Sequence, residues 1–260
     1  MDIQMNTYNE VIAAFCMMDD EFMTKMFENN IPCTELLLQI ILEDDKIKVK
    51  EATTQVGYKN LQGHDLKLDI LAEKDDGTLF NVEVQNQSEG AIAQRARYHA
   101  SLLDSNNLPK GADYKELPDS YVIFITRGDV LKGNLPLYHV ERVIRESNKD
   151  FKDGSHIIYV NNKIKDETRL GKLMHDFSCK EPAEMYYKAL AERATYFKKN
   201  EKGRGEMSEV MKRFAEQVAL QQKIEFANGL LADGMSIDFT ARHTKLPLEE
   251  VQKLAEKRTA

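Results

Sequence analysis

The sequence predicts an α/β domain that runs on into a series of helices, and three observations carry that expectation. Residues from about 46 to 86 alternate apolar and polar side chains as strands do. Residues 121–126 (Tyr-Val-Ile-Phe-Ile-Thr) read as one continuous apolar strand. After Asn161 and Asn162 the spacing of apolar residues becomes helical and stays so. Helices on either side of a hairpin and a central strand make a mixed sheet flanked by helices.

Each element has its own warrant. Val11, Phe15, Met18, Phe22 and Met26 recur at spacings of three and four and predict a helix over 8–29, which the run Asn29-Asn30-Ile31-Pro32 interrupts. Thr34 is the expected N-cap of a short helix reaching about residue 43. Strand character begins near Ile47 and reaches Tyr58, and then Leu66, Leu68 and Ile70 alternate with Lys67 and Asp69. Asp75-Asp76-Gly77 is a hairpin turn signal, and residues 79–85 form the returning arm. A helix is expected from about 89 to 104, closed by Leu108-Pro109-Lys110-Gly111. Burial on both faces places 121–126 in the middle of the sheet. Shorter strands, about 137–144 and 155–160, lie either side of Asp153-Gly154. Helices follow over about 166–178, 182–199, 206–232, 236–243 and 247–257, with Pro182, Gly203, Gly205, Gly229, Gly234 and Pro247 as punctuation. The expected division is an α/β core over 1–165 and a helical extension over 166–260, whose end has the make-up of a small helix-turn-helix.

Composition narrows the function classes. The 260 residues carry 36 Lys plus Arg against 43 Asp plus Glu, a net charge of −7, and 42% hydrophobic residues supply a core. A protein that coats nucleic acid by bulk electrostatics would be basic, so any nucleic-acid site here must be a local basic or metal-bridged surface. No apolar run approaches the ~18 residues that would cross a bilayer, so no membrane protein is expected. The N-terminal stretch lacks a basic n-region and does not read as a secretory signal. Cys16, Cys33 and Cys179 form neither a disulfide framework nor a zinc pattern, and a reducing cytoplasm is the expected compartment.

There is no G-x-S-x-G elbow, no H-E-x-x-H and no phosphate-binding P-loop, and the six histidines are scattered. What remains is a group of carboxylates on the hairpin. A turn at 75–77 brings Asp69 and Glu83 near each other across the strand pair, and alternation puts Glu83 and Gln85 on one face, with Val84 on the other. Neighbouring acids repel unless a cation lies between them, and Mg²⁺ suits carboxylate oxygens plus water. The alternative is a polar strand facing solvent. The most basic segment, 193–204, reads as a solvated helix end or as a DNA contact.

Five blocks together resemble the PD-(D/E)XK nuclease superfamily, in particular its transposase-associated branch of recombination-promoting nucleases. They are Leu68-Asp69-Ile70; residues 76–85 (Asp-Gly-Thr-Leu-Phe-Asn-Val-Glu-Val-Gln); residues 94–99 (Gln-Arg-Ala-Arg-Tyr-His); Leu108-Pro109-Lys110-Gly111 with Tyr114 and Leu117; and residues 121–125. The likeness runs from about 15 to 162. It implies a restriction-endonuclease-like fold and a Mg²⁺-dependent endonuclease acting on DNA, with Mn²⁺ as a substitute. It further implies Asp69 and Glu83 as metal-binding acids, the Val84 carbonyl as a third ligand, and Gln85 where the wider superfamily has lysine. An amide orients water but supplies no charge and is no base, which leaves open a fold-retaining DNA- or protein-binding relative that cleaves weakly or not at all. Arg95, Arg97 and Tyr98 on the following helix are candidate substrate contacts, with a salt bridge from Arg95 to an acid as the alternative. Glu35 is a possible further acid, or one that stabilises its helix N-terminus. His99 is assigned no role.

Overall fold

Six strands form one mixed sheet in the computed structural model, which describes residues 9–58 and 64–259. They are β1 (Val49–Tyr58), β2 (Leu66–Lys74), β3 (Leu79–Gln85), β4 (Ser120–Thr126), β5 (Leu137–Val140) and β8 (Ser155–Asn161). A separate ribbon of β6 (Val143–Ile144) and β7 (Lys149–Asp150) lies between the last two in sequence. The helices are α1 (Asp20–Phe27), α2 (Ile31–Ile41), α3 (Ala93–Asn107), α4 (Arg169–Ser178), α5 (Lys188–Lys199), α6 (Glu201–Ala232), α7 (Ile237–Thr244) and α8 (Leu248–Thr259).

The strand order is β1-β2-β3-β4-β8-β5. Connection length decides strand direction. The turn at Asp76-Gly77, with Gly77 at φ +88°, reverses the chain at once and makes β2–β3 antiparallel. From β3 the chain returns through α3 to the start of a parallel β4, which pairs in turn with a parallel β8. β4 is central and buried along almost its whole length, as its unbroken apolar run requires. One face of the sheet presents Ile70, Phe80, Val82, Ile123, Ile125 and Val160 to α1, α2, α4 and α5. The other presents Val122, Phe124 and Tyr159 to Ala96, Ala100 and Leu103 of α3.

Several boundaries differ from the sequence expectation, each for a local reason. The helix expected over 8–29 is broken: residues 9–14 are helical, and α1 starts at Asp20. Between them the Asp19 carboxylate accepts the Cys16 N–H at 2.8 Å, which holds a turn that apolar spacing alone does not reveal. Residues 1–8 lie outside the described residues. α2 begins at Ile31, not after Thr34, because Asn30 caps it through the Cys33 N–H and Pro32 sits in its first turn. Gly203 and Gly205 fall inside α6 and do not end a helix.

The chain divides into two compact units, Met1–Met207 and Ser208–Ala260. The division expected at 165/166 falls inside the first, because Leu173, Met174 and Phe177 of α4 and Leu190, Ala194 and Phe197 of α5 share the core of the sheet. Helical periodicity shows that a segment has an apolar face but not what that face meets. The basic segment 193–204 is likewise turned partly inward. Arg193 donates to the carbonyls of Lys25 and Glu28 at 3.0 and 3.2 Å, and Lys198, 9% exposed, donates to those of Ala13, Phe15 and Lys180. These cations clamp backbone instead of facing solvent.

In the second unit Ala227, Leu246 and Val251 form a small core with Ile224, Leu231, Ile237, Ala241 and Leu254. Ser236 caps α7 by accepting the Phe239 N–H at 3.2 Å, and Lys245, left-handed at φ +58°, starts the turn into α8. Among the described residues no helix is long and apolar enough to cross a membrane.

Candidate active site

Where β2 and β3 part, side chains take over from the backbone ladder. The register Ile70↔Val82, continued by one step, sets Asp69 opposite Glu83. The Asp69 N–H donates to Glu83 Oε1 at 3.2 Å, and the Val84 N–H donates to Asp69 Oδ2 at 3.0 Å. Each carboxylate thus binds the other strand with one oxygen. Glu83 is fully buried, and its Oε2 accepts no hydrogen bond. Burial pushes the carboxyls of both residues well above the ordinary range, and the Asp69 charge raises Glu83 further.

α3 lies over this strip. Arg95 brings Nη2 to 3.6 Å from Glu83 Oε2, donates Nε–H to His99 Nε2 at 3.2 Å and donates Nη1–H to the Gly90 carbonyl at 3.0 Å. His99 is buried, with its Nδ1 2.8 Å from the Asn81 amide and 3.7 Å from Glu83 Oε1. Burial, with the Arg95 charge adding, pushes the His99 pKa down to about 4, so the ring is neutral and its approach to Glu83 is not an ion pair. Because Nε2 accepts from Arg95, the proton of the neutral ring lies on Nδ1.

The other expected residues fall in distinct places. Gln85 is half-buried at the end of β3, its side-chain amide packed against Gly90. Tyr98 donates to the His64 carbonyl at 2.5 Å, and Arg97 is exposed. Glu35 lies away from the pair: it binds Lys48 Nζ at 2.8 Å and the Val49 N–H at 3.2 Å, tying α2 to β1. The further acid whose charge reaches Asp69 is Asp20, at the start of α1. Sequence reasoning missed Asn81 and His99. Their signal was spacing: Asn81 is two residues from Glu83 on a strand, and His99 is four from Arg95 on a helix, so each shares a face with a known candidate.

The donors present suit a hard cation. Among the described residues no cluster of three or more His, Cys, Asp and Glu could hold a metal. A cation here would be bound by Asp69, Glu83 and a backbone oxygen, with water completing its shell, as Mg²⁺ accepts. In an extended strand a residue's N–H and C=O point to the same side. The Val84 carbonyl therefore faces β2, on the side where its N–H meets Asp69. Glu83 Oε2, which accepts no hydrogen bond and meets only the Arg95 guanidinium at 3.6 Å, keeps lone pairs that a metal ion could take.

A mixed six-stranded sheet with a hairpin bearing the acids, a helix after the second acid and helices on both faces is the PD-(D/E)XK fold. The chain belongs to the PD-(D/E)XK nuclease family transposases, whose family profile matches residues 24–222. That match extends past the sheet through α4 and α5, the helices that share its core. No curated protein and no solved structure matches the chain.

Proposed function

We propose that the chain is a Mg²⁺-dependent DNA endonuclease, able to use Mn²⁺, that hydrolyses phosphodiester bonds at the Asp69–Glu83 pair. One observation carries this reading: two acids on adjacent strands each accept a backbone N–H from the other strand, of Asp69 and of Val84, and leave Glu83 Oε2 buried without a hydrogen bond. A buried carboxylate beside a second acid, with the Arg95 guanidinium no nearer than 3.6 Å, costs free energy until a proton or a metal ion meets it. When bound, a divalent ion would neutralise charge at the phosphate and make a water more acidic.

The chain's own residues supply position. Arg95 and His99, braced by Gly90 and Asn81, fix the buried acid. The Gln85 amide accepts a hydrogen bond from the attacking water and orients it without taking its proton. The water oxygen bonds to phosphorus and the bond to the 3′ oxygen breaks. The attacking water gives a proton to solvent water and the leaving oxygen takes one from it, giving a 5′-phosphate and a 3′-hydroxyl. Arg97, exposed on α3, remains available to a phosphate.

Nicking of supercoiled plasmid with Mg²⁺ or Mn²⁺ tests the reading: Asp69→Ala should lose cleavage, and Glu83→Gln should lose Mn²⁺ binding in calorimetry, an amide oxygen being a poor ligand for a hard cation. Equal nicking by wild type and Asp69→Ala would overturn it. Wild-type protein that binds Mn²⁺ and DNA without nicking would instead support the binding-only relative that Gln85, in place of lysine, leaves open.

A further inference from the structure

The C-terminal edge of the parallel strands opens into a cleft of about 560 Å³ that none of the residues considered above for catalysis lines. Four cations border it: Arg127 just after β4, Lys163 and Lys165 after β8, and Lys180 after α4. All four are exposed, and none forms an ion pair among the described residues. The one carboxylate lining the cleft, Asp19, is engaged by the Cys16 N–H and lies within electrostatic reach of the buried Lys198 ammonium. In a chain of net charge −7, four unpaired cations around one cleft form a local field opposite to that of the molecule.

The cleft is joined to the candidate active site through the sheet. The Arg127 N–H donates to the Gln85 carbonyl at 3.1 Å, and the Asn162 N–H donates to the Thr126 carbonyl at 2.9 Å. From Gln85 to Asn162 is thus two strand spacings, ~10 Å, close enough for the backbone of one DNA strand to meet both. The N-terminal segment runs along the same edge: Ala14, Cys16 and Asp19 line the cleft, Asn86 donates to the Met18 carbonyl, and Asp20 reaches Asp69.

We propose that Arg127, Lys163, Lys165 and Lys180 form a phosphate-binding track that holds the DNA backbone a few nucleotides from the scissile bond. The choice of DNA as ligand rests on the nuclease reading above. A polyanion fits better than a single small anion, because the charges come from three separate connections around an open cleft. Exposed lysines are point charges suited to successive phosphates, and one arginine beside Gln85 can grip a phosphate in bidentate fashion.

The test uses the full chain, a short labelled duplex in EDTA, and fluorescence anisotropy over ~50–200 mM salt. Replacing Lys163, Lys165 and Lys180 by Gln together should weaken binding and reduce the slope of log K against log salt by about 2 to 3, near 0.9 per lysine. The matched replacement of Lys110, Lys115 and Lys149, exposed residues in connections leading into the opposite ends of β4 and β8, should leave the slope nearly unchanged. Equal slopes for both triple variants, or no DNA binding by wild type, would overturn the track. So would displacement of DNA by inorganic phosphate at constant ionic strength, which would indicate a single-anion site. Plasmid nicking is read separately. Wild type that nicks while the slopes are equal keeps the nuclease and loses the track, and loss of slope with no nicking by wild type does the reverse.

Discussion

Glu83 and Asp176 are both fully buried carboxylates in the first unit, and their surroundings are opposite. Asp176, near the end of α4, accepts the Tyr186 N–H on one oxygen and the Tyr187 N–H on the other, both at 2.9 Å. It fastens the loop into α5 and has no lone pair pointing at another acid. Glu83 has one oxygen on the Asp69 N–H, the other without a hydrogen bond, and a second carboxylate across the strand pair. Burial alone does not mark a functional acid. What distinguishes the two is whether the backbone satisfies the charge. A satisfied acid belongs to the fold, and an acid left short of partners beside a like charge is poised for a ligand.

That contrast can be broken by experiment. The largest expected effect on stability belongs to Asp176→Asn. Its amide nitrogen would face a backbone N–H, at a cost of about 2–3 kcal/mol. Urea unfolding should show the loss, while Mn²⁺ affinity and cleavage per folded molecule stay at wild-type values. Unchanged stability would mean that the two backbone bonds contribute little.

Next comes Gly90→Ala. A Cβ there would stand 2.3 Å from Gln85 Oε1 and 3.5 Å from Arg95 Nη1. The end of the glutamine side chain can swing away, so the fold should survive while cleavage falls about tenfold through lost positioning. In Gln85→Ala the same second change should cost little more, and a full tenfold penalty there would show that Gly90 acts some other way. A third comparison is the pH dependence of stability in EDTA. The folded carboxyls of Asp69 and Glu83 titrate above their unfolded values, so their contribution is complete at acidic pH and is lost as pH rises through the raised folded values. Wild type should therefore lose melting temperature relative to Glu83→Gln from about pH 5 to 9, and Mg²⁺ should restore it. Parallel pH profiles without metal would contradict the repulsion between the pair.

The pairing of Asp69 with Glu83 was legible because a tight turn lies between them, and a hairpin turn fixes register over the few residues on either side. The central place of β4 was legible from its unbroken apolar run. The reach of Asp20 to Asp69 was not, since it depends on how α1 docks against the sheet, and no spacing in the sequence encodes that. Whether Glu35 was a further acid or a structural one stayed open in the sequence because the Lys48 and Val49 partners that hold it come from a different element. His99 and Asn81 were half visible, sharing faces with Arg95 and Glu83, but their contact exists only once α3 crosses β3. The place of α4 and α5 was hidden for the same reason as Asp20: they have ordinary amphipathic patterns, and only packing shows that the sheet is what they cover.

Lys198 has a consequence for how this molecule is made. Its ammonium holds the carbonyls of Ala13 and Phe15, 185 and 183 positions earlier in the chain. At a ribosomal rate of ~5–20 residues per second, the N-terminal segment waits roughly 10–40 s after its own synthesis before that lysine is even polymerised. The hairpin with Asp69 and Glu83 needs only local contacts and can close long before. The wall formed by Cys16 and Asp19 gains its anchor only when α5 has emerged, so the basic cleft is among the last parts of the first unit to be completed during translation.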